Sequence, residues 1–309
     1  MLHKPYYSHP EYQYLMLCAQ ALEQGTLQAN RTTARAWTID GGMMQFDMAD
    51  GFPLLTTKQV FYKKGFAEQV GFLRGLDNAQ DFADLGCDWW FKDANENTQW
   101  LASPYRKGEN DLGRIYGVQW RKWRGKASTD WNGHVKYEEI DQIQQCLDDI
   151  RAALVTGRPS RRIIFIAWRP DEFDQMALPP CHVSYEFLVN VEKKELNLTM
   201  WQRSCDMFLG VPMNIANAAL TLHLFAAAAG LKPRRLTHFL SDVHVYENHV
   251  DQVQTMLGRM PRKLPMMSFL HPMNPLEWTA DDMAAINPWD IVISGYSHHG
   301  PLKGEMVTG

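Results

Sequence analysis

Cys181 lies in Leu178-Pro179-Pro180-Cys181-His182, where two prolines stiffen the chain just before a thiol that opens a strand-like run. A thiol held in this way points in one direction, and as a thiolate it is a nucleophile toward an electron-poor carbon. Taken alone, Cys181 reads more readily as a small core residue, because free cysteines are buried more often than they react. His182 does not change that reading, since neighbours on a strand face opposite ways. Nearby arginines do. Arg161 and Arg162 come before it, and Arg203 follows in Gln202-Arg203-Ser204-Cys205-Asp206. A cationic pocket raises the thiolate fraction, and guanidinium forks match a phosphate. Each arginine separately reads as a surface charge. Their placement at strand ends flanking one cysteine predicts a shared anion site.

Asn214, in Val211-Pro212-Met213-Asn214-Ile215, is an amide among apolar residues. Its paired donor and acceptor match the edge of a uracil, although its position beside a helix start reads first as a cap. His244 and Tyr246 alternate along a strand and share one face, which suits gripping a sugar hydroxyl. Zinc on His244 and His249 lacks a third ligand. The aromatic group Trp89, Trp90, Phe91, Trp100, Trp120 and Trp123 is either ordinary packing or a flat pocket for a heteroaromatic ring. No GxxxxGK[ST] or GxGxxG loop is present, so a nucleotide has to be held by arginines.

The elements that position these residues follow from pattern. Residues 10–25 read as a helix closed by a glycine cap at Gly25, and 61–76 as a second, with Phe66, Val70 and Leu73 on one face. Between them, residues 37–57 read as short strands and turns. Residues 86–135 show no sustained period and read as long ordered loops. Ile140, Ile143, Leu147, Ile150 and Leu154 mark an amphipathic helix stopped by Gly157 and Pro159, while 163–168, 183–189 and 195–201 read as strands. Residues 212–230 form the most apolar helix and belong at the centre, with a strand and helix following around 239–257.

The 309 residues can bury a large core, and with no repeat or linker they read as one α+β domain, 1–309. A net charge of −4 gives no basic field for wrapping nucleic acid. Five scattered cysteines give neither a disulfide framework nor a zinc knuckle. The polar N-terminus, with no apolar run of about 18 residues, predicts a cytoplasmic protein with no membrane partner.

Together the residues resemble thymidylate synthases from about residue 11 to the C-terminus. The blocks are Asn30-Arg31-Thr32, DGFPLLTTK (50–58), IYGVQWR (115–121), SRRIIFIAW (160–168), LPPCH (178–182), QRSCDMFLGVPMNIA (202–216) and HVYENHVDQ (244–252). The resemblance implies a mixed sheet packed with helices and a sheet-to-sheet homodimer. It implies that Cys181 adds to carbon 6 of dUMP, activating carbon 5 toward methylenetetrahydrofolate, with no metal. By the same resemblance Arg31, Arg203 and Ser204 hold the phosphate, joined by Arg161 and Arg162 from the other subunit. Gln202 also belongs to the substrate site, Asn214 reads the uracil edge, and His244 and Tyr246 take the ribose. Glu68 and Tyr116 organise proton transfer, and Arg203 and Asp206 join them among the catalytic residues. Trp90, Asp206, Lys58, Leu178 and Met213 form the folate side. Asn214, rather than Asp, favours uracil over cytosine. Phe91, Met213, Ser241 and Arg169 depart from the usual pattern. Two outcomes share the nucleophile: methylation to dTMP with dihydrofolate released, or hydroxymethylation by water capture.

Overall fold

The computed structural model describes residues 9–32, 34–271 and 277–307. The first eight residues of the polar N-terminus, Thr33 of the arginine loop, residues 272–276 of the Pro- and Met-rich stretch and the final two residues of the tail lie outside the described residues.

The strands are β1 (Thr26–Gln28), β2 (Ala36–Asp47), β3 (Trp123–Thr129), β4 (Val135–Ile140), β5 (Ile164–Ile166), β6 (His182–Asn190), β7 (Glu195–Asp206), β8 (Lys232–Tyr246), β9 (Met266–Phe269) and β10 (Ile291–Ser294). The helices are α1 (Tyr12–Gln24), α2 (Tyr62–Leu73), α3 (Ala79–Asp84), α4 (Phe91–Asn95), α5 (Thr98–Leu101), α6 (Tyr116–Arg121), α7 (Gln142–Thr156), α8 (Gly210–Ala229), α9 (Val250–Leu257) and α10 (Ala280–Ala285). Six strands form a mixed sheet in the order β1-β2-β8-β7-β6-β5, while β9 pairs with β10 and β3 with β4. Within the large sheet β7 and β8 run parallel and the other pairs antiparallel. A parallel pair needs a crossover, and α8 supplies it.

Helix α8 is apolar on nearly every side and buried along its length, as its composition predicts. It is the one helix among the described residues long and apolar enough to cross a membrane, and most of it is enclosed by the fold. Asp141 caps α7 through the Ile143 and Gln144 amides, and Gly157 ends it in the left-handed region at φ 68°. Gly25 departs from expectation. Its φ is −70°, so no left-handed cap forms; the glycine is needed because a Cβ there would lie 2.2 Å from the Ala21 carbonyl oxygen.

The stretch 86–135 is also more regular than its sequence implies. It holds α4, α5, α6, β3 and the start of β4's hairpin. Helices of four to six residues are too short to display a period, and β3 and β4 stand largely in solvent, so nothing forces apolar alternation on them. At Gly117 in α6 a Cβ would lie 2.3 Å from the Phe72 carbonyl oxygen of α2, so these two helices meet backbone to backbone. That contact lets Tyr116 stack on Phe72 at 4.6 Å between ring centroids.

The Glu11 carboxylate is buried and takes the amides and hydroxyls of both Thr56 and Thr57, pinning the DGFPLLTTK loop against α1. On the sheet face turned away from the helices, Met43, Phe239 and Trp201 form a lateral row across β2, β8 and β7. They are 50%, 44% and 46% exposed, with Ile164 and Leu188, each 44% exposed, on the flanking strands. The adjoining row of Met43, Phe239 and Trp201 is more than scattered surface hydrophobics.

Candidate active site

Cys181 stands at the entry to β6 and is the one cysteine of the five that is not buried. Burial pushes the Cys18 and Cys146 thiols up to about 12 and raises those of Cys87 and Cys205 as well. Those four therefore carry no useful thiolate. The Cys181 amide donates to the Tyr116 hydroxyl at 2.8 Å, and its carbonyl accepts from the Arg203 amide at 2.9 Å. The Arg203 guanidinium donates to the Pro180 and Pro179 carbonyls, both at 2.9 Å, and lies over the Trp168 ring. It clasps the stiff dipeptide that aims the thiol. With five N–H donors, the fork retains capacity for an anion.

Arg203 also opens onto a cleft of about 590 Å³. Its walls are Arg203 and Ser204 of β7, Ser241, Asp242, His244 and Tyr246 of β8, Thr38 and Asp40 of β2, and the loop carrying Asn30, Arg31 and Thr32. Two guanidinium groups among hydroxyls and a paired His and Tyr suit a phosphorylated sugar. The His244 and Tyr246 rings meet edge to face at 5.1 Å. Burial disfavours the His244 imidazolium, but the Asp242 and Asp206 carboxylates outweigh it and raise the pKa above the usual value. Arg161 and Arg162 are exposed at the approach to β5 and do not line this cleft, so one chain does not gather all the arginines around Cys181.

Asn214 is not a helix cap. Helix α8 starts at Gly210 with Leu209 as its N-cap and no side-chain cap, so Asn214 is a full turn inside it, and Asp206 accepts from the Phe208 and Leu209 amides in the turn that leads into the helix. Gln202 is buried, with its amide nitrogen donating to the Ser204 carbonyl and to Asn214 Oδ1, both at 2.9 Å. Its oxygen meets His238 Nε2 at 2.9 Å. A backbone carbonyl can only accept, so Ser204 fixes which way the Gln202 amide faces, and that in turn fixes Asn214. Burial holds His238 down at about 3, leaving a neutral ring whose Nε2 carries the proton. Gln202 thus sits behind the site, orienting Asn214, rather than on the cleft wall.

Glu68 of α2 gathers three donors. Trp89 Nε1 and Trp90 Nε1 reach Oε1 at 2.8 and 3.0 Å, and Asn217 Nδ2 reaches Oε2 at 3.3 Å. Burial raises its pKa to about 7, against the pull of the two indoles and Asn217. A carboxyl poised near neutrality can both give and take a proton. Burial and the neighbouring Cys181 raise the Tyr116 phenol well above its usual value, so it remains a neutral hydroxyl.

Beside Trp89 runs a groove of about 670 Å³ walled by Gln59, Val60, Phe61, Tyr62, Lys63, Lys64 and Tyr296. Its aromatic walls suit a flat ring system, as a folate carries, while Lys64 is paired with Asp88 and Lys63 is turned to the Trp289 and Ile291 carbonyls. Lys58 does not line this groove. It is 5% exposed, its ammonium binds the Phe208 carbonyl and lies over the Phe208 ring, and burial lowers its pKa to about 8. It supports the turn after Asp206 from within instead of presenting a charge to a ligand. Met213 lodges over Gly65, where a Cβ would come 1.8 Å from its sulfur. Leu178 is half-buried ahead of the two prolines. His249 is buried, its Nε2 turned to the Glu305 carbonyl at 2.9 Å and its ring against Phe208.

Sequence reasoning missed Asn217 and His238 as working partners and saw Trp89 only as one of an aromatic group. Each acts through a contact between distant chain positions, for which spacing carries no signal.

A thiol aimed beside a cleft for a phosphorylated sugar, with an oriented amide and a poised carboxyl, is the build of an enzyme that transfers a one-carbon unit to a nucleotide. Comparison with known proteins makes the class specific. The family model described as thymidylate synthase matches residues 12–308. The chain is 40% identical to the thymidylate synthase of Pseudomonas putida over 96% of this chain and 99% of that one. It is 39% identical to the thymidylate synthase of Bordetella parapertussis with the same coverage. It is also 39% identical to a bifunctional dihydrofolate reductase-thymidylate synthase of Leishmania amazonensis, over 97% of this chain and 56% of that protein. The chain belongs to the thymidylate synthase family. It is a one-carbon methyltransferase of dTMP biosynthesis with methylenetetrahydrofolate as co-substrate, and the hydroxymethylase alternative is not favoured.

Proposed function

We propose that Cys181 performs this reaction by adding to carbon 6 of dUMP, so that carbon 5 becomes the nucleophile toward the one-carbon unit. The observation that carries this reading is that Cys181 alone among the five thiols is accessible, and is aimed by Arg203 beside the arginine-bearing cleft. Arg31, Arg203 and Ser204 bind the phosphate, and His244 and Tyr246 the ribose. Asn214, oriented by Gln202, reads the uracil edge. Glu68 and Tyr116 handle protons through hydrogen-bonded water. Trp90, Leu178, Met213 and Asp206 border the folate, which supplies the carbon and then a hydride. The whole chain acts as one catalytic domain. Reduced, buried cysteines are consistent with a cytoplasmic enzyme.

The test is to mix the protein with dUMP and methylenetetrahydrofolate, following dihydrofolate absorbance while weighing the nucleotide. Methylated nucleotide and dihydrofolate in equal amounts support the proposal, and a hydroxymethyl product without dihydrofolate overturns it.

The active assembly is a homodimer joined through the apolar sheet face. The exposed row Met43, Phe239 and Trp201 supports this, because water contact with such a face is unfavourable and a matching face covers it. Arg161 and Arg162, exposed and outside the cleft of their own chain, then reach the partner's phosphate. Trp201→Asp buries a charge at the centre of that interface, and we expect sedimentation to report half the wild-type mass, with turnover falling at least about tenfold.

A further inference from the structure

We propose that Trp89 is a positioning residue that fixes which oxygen of Glu68 carries the proton. This rests on the reading of Glu68 as the acid-base group. The geometry is specific. Adjacent indoles diverge, Trp90 into the core against Phe72 and Tyr116, and Trp89 into the aromatic groove. Yet their N–H groups converge on one atom, Glu68 Oε1, at 2.8 and 3.0 Å. An oxygen accepting two N–H donors has no room for a proton of its own. The neutral form of Glu68 therefore carries its proton on Oε2, where the partner among the described residues is Asn217 at the longer distance of 3.3 Å. Without the Trp89 donor, Oε1 keeps one partner, the carboxyl can rotate, and the proton is shared between two positions.

The surrounding groups leave this effect readable. Around Glu68 stand Cys87, Tyr116 and Tyr185, all with pKa values raised by burial, so they stay neutral across the working range. Asp93 of α4 is the other titrating neighbour, raised by burial to about 6, and its own stabilising partners are Arg31 and Lys92 rather than Trp89. A change made at Trp89 thus reads out on Glu68.

Trp89→Phe keeps a ring in the groove and removes only the N–H. Removing a donor to the carboxylate disfavours its charged form, so the pH limb of kcat that Glu68→Gln abolishes should move upward by roughly one unit. At neutral pH kcat should fall roughly tenfold, with KM for dUMP held within about twofold. In the Glu68→Gln background Trp89→Phe should cost less than about twofold, because a residue acting through Glu68 has nothing left to position. Trp89→Leu removes the same donor with a different shape and should reproduce the limb shift. An unmoved limb, or an equal loss in both backgrounds, overturns the role of Trp89 while leaving that of Glu68 intact. A fully active Glu68→Gln, or a wild type that does not turn over dUMP, overturns the underlying reading instead.

Discussion

Cys181→Ala is expected to lower turnover of dUMP by at least about 10³-fold while leaving its affinity within about threefold of wild type. Affinity is expected to persist because the groups proposed to hold the phosphate and ribose lie on other elements: Arg31 on the loop after β1, Arg203 and Ser204 on β7, His244 and Tyr246 on β8. Rate is lost because no other thiol can substitute; Cys205, the nearest in sequence, is buried with its pKa raised. Dihydrofolate absorbance reports the rate and equilibrium dialysis with dUMP reports the affinity. Retained turnover in the alanine variant would remove the covalent mechanism.

Asn214→Asp should lower the ratio of kcat/KM for dUMP to that for dCMP by at least about 10³-fold. The expectation comes from the chain of hydrogen bonds behind the residue. Gln202 donates to Oδ1, so in wild type the amide nitrogen is the atom free to donate toward a carbonyl on the base. With aspartate, Gln202 still donates to one oxygen, and the other presents an acceptor where uracil also presents one. Two acceptors facing each other in a desolvated site are unfavourable, whereas the amino group of cytosine donates to that oxygen. Competition between the two nucleotides, read by mass, measures the ratio. An unchanged ratio would mean that Asn214 does not contact the base edge.

Much of this arrangement was readable before any coordinates. The periods of α2 and α7 are long enough to show, α8 stands out by its apolar composition, and the two glycine stops of α7 and α8 fall where left-handed backbone is required. Cys181, Arg203 and Asn214 could be singled out because their residue types are unusual for their neighbourhoods. What escaped depends on partners far apart in the chain. Glu11 is an ordinary surface glutamate in sequence, and becomes a buried hub only because α1 packs over Thr56 and Thr57. Glu172 similarly becomes the buried counterion of Arg114, Arg124 and Arg169. Asn214 reads first as a cap because Pro212 marks a helix start, whereas the helix begins two residues earlier, at Gly210. The resemblance gives Lys58 to the folate side, whereas a carbonyl and a ring shelter it inside the fold.

The unequal accessibility of the five thiols has a practical side. Four are shut inside the packed interior, so an alkylating reagent meets a single addressable sulfur per molecule, and that sulfur is the proposed nucleophile. Uptake of a maleimide by the native protein should therefore stop near one equivalent per chain, and added dUMP should slow it. The same count after partial heating would rise as interior sulfurs open to solvent. A batch of enzyme can be titrated for competent centres in this way, with unfolding followed on the same chemical scale and no engineered label.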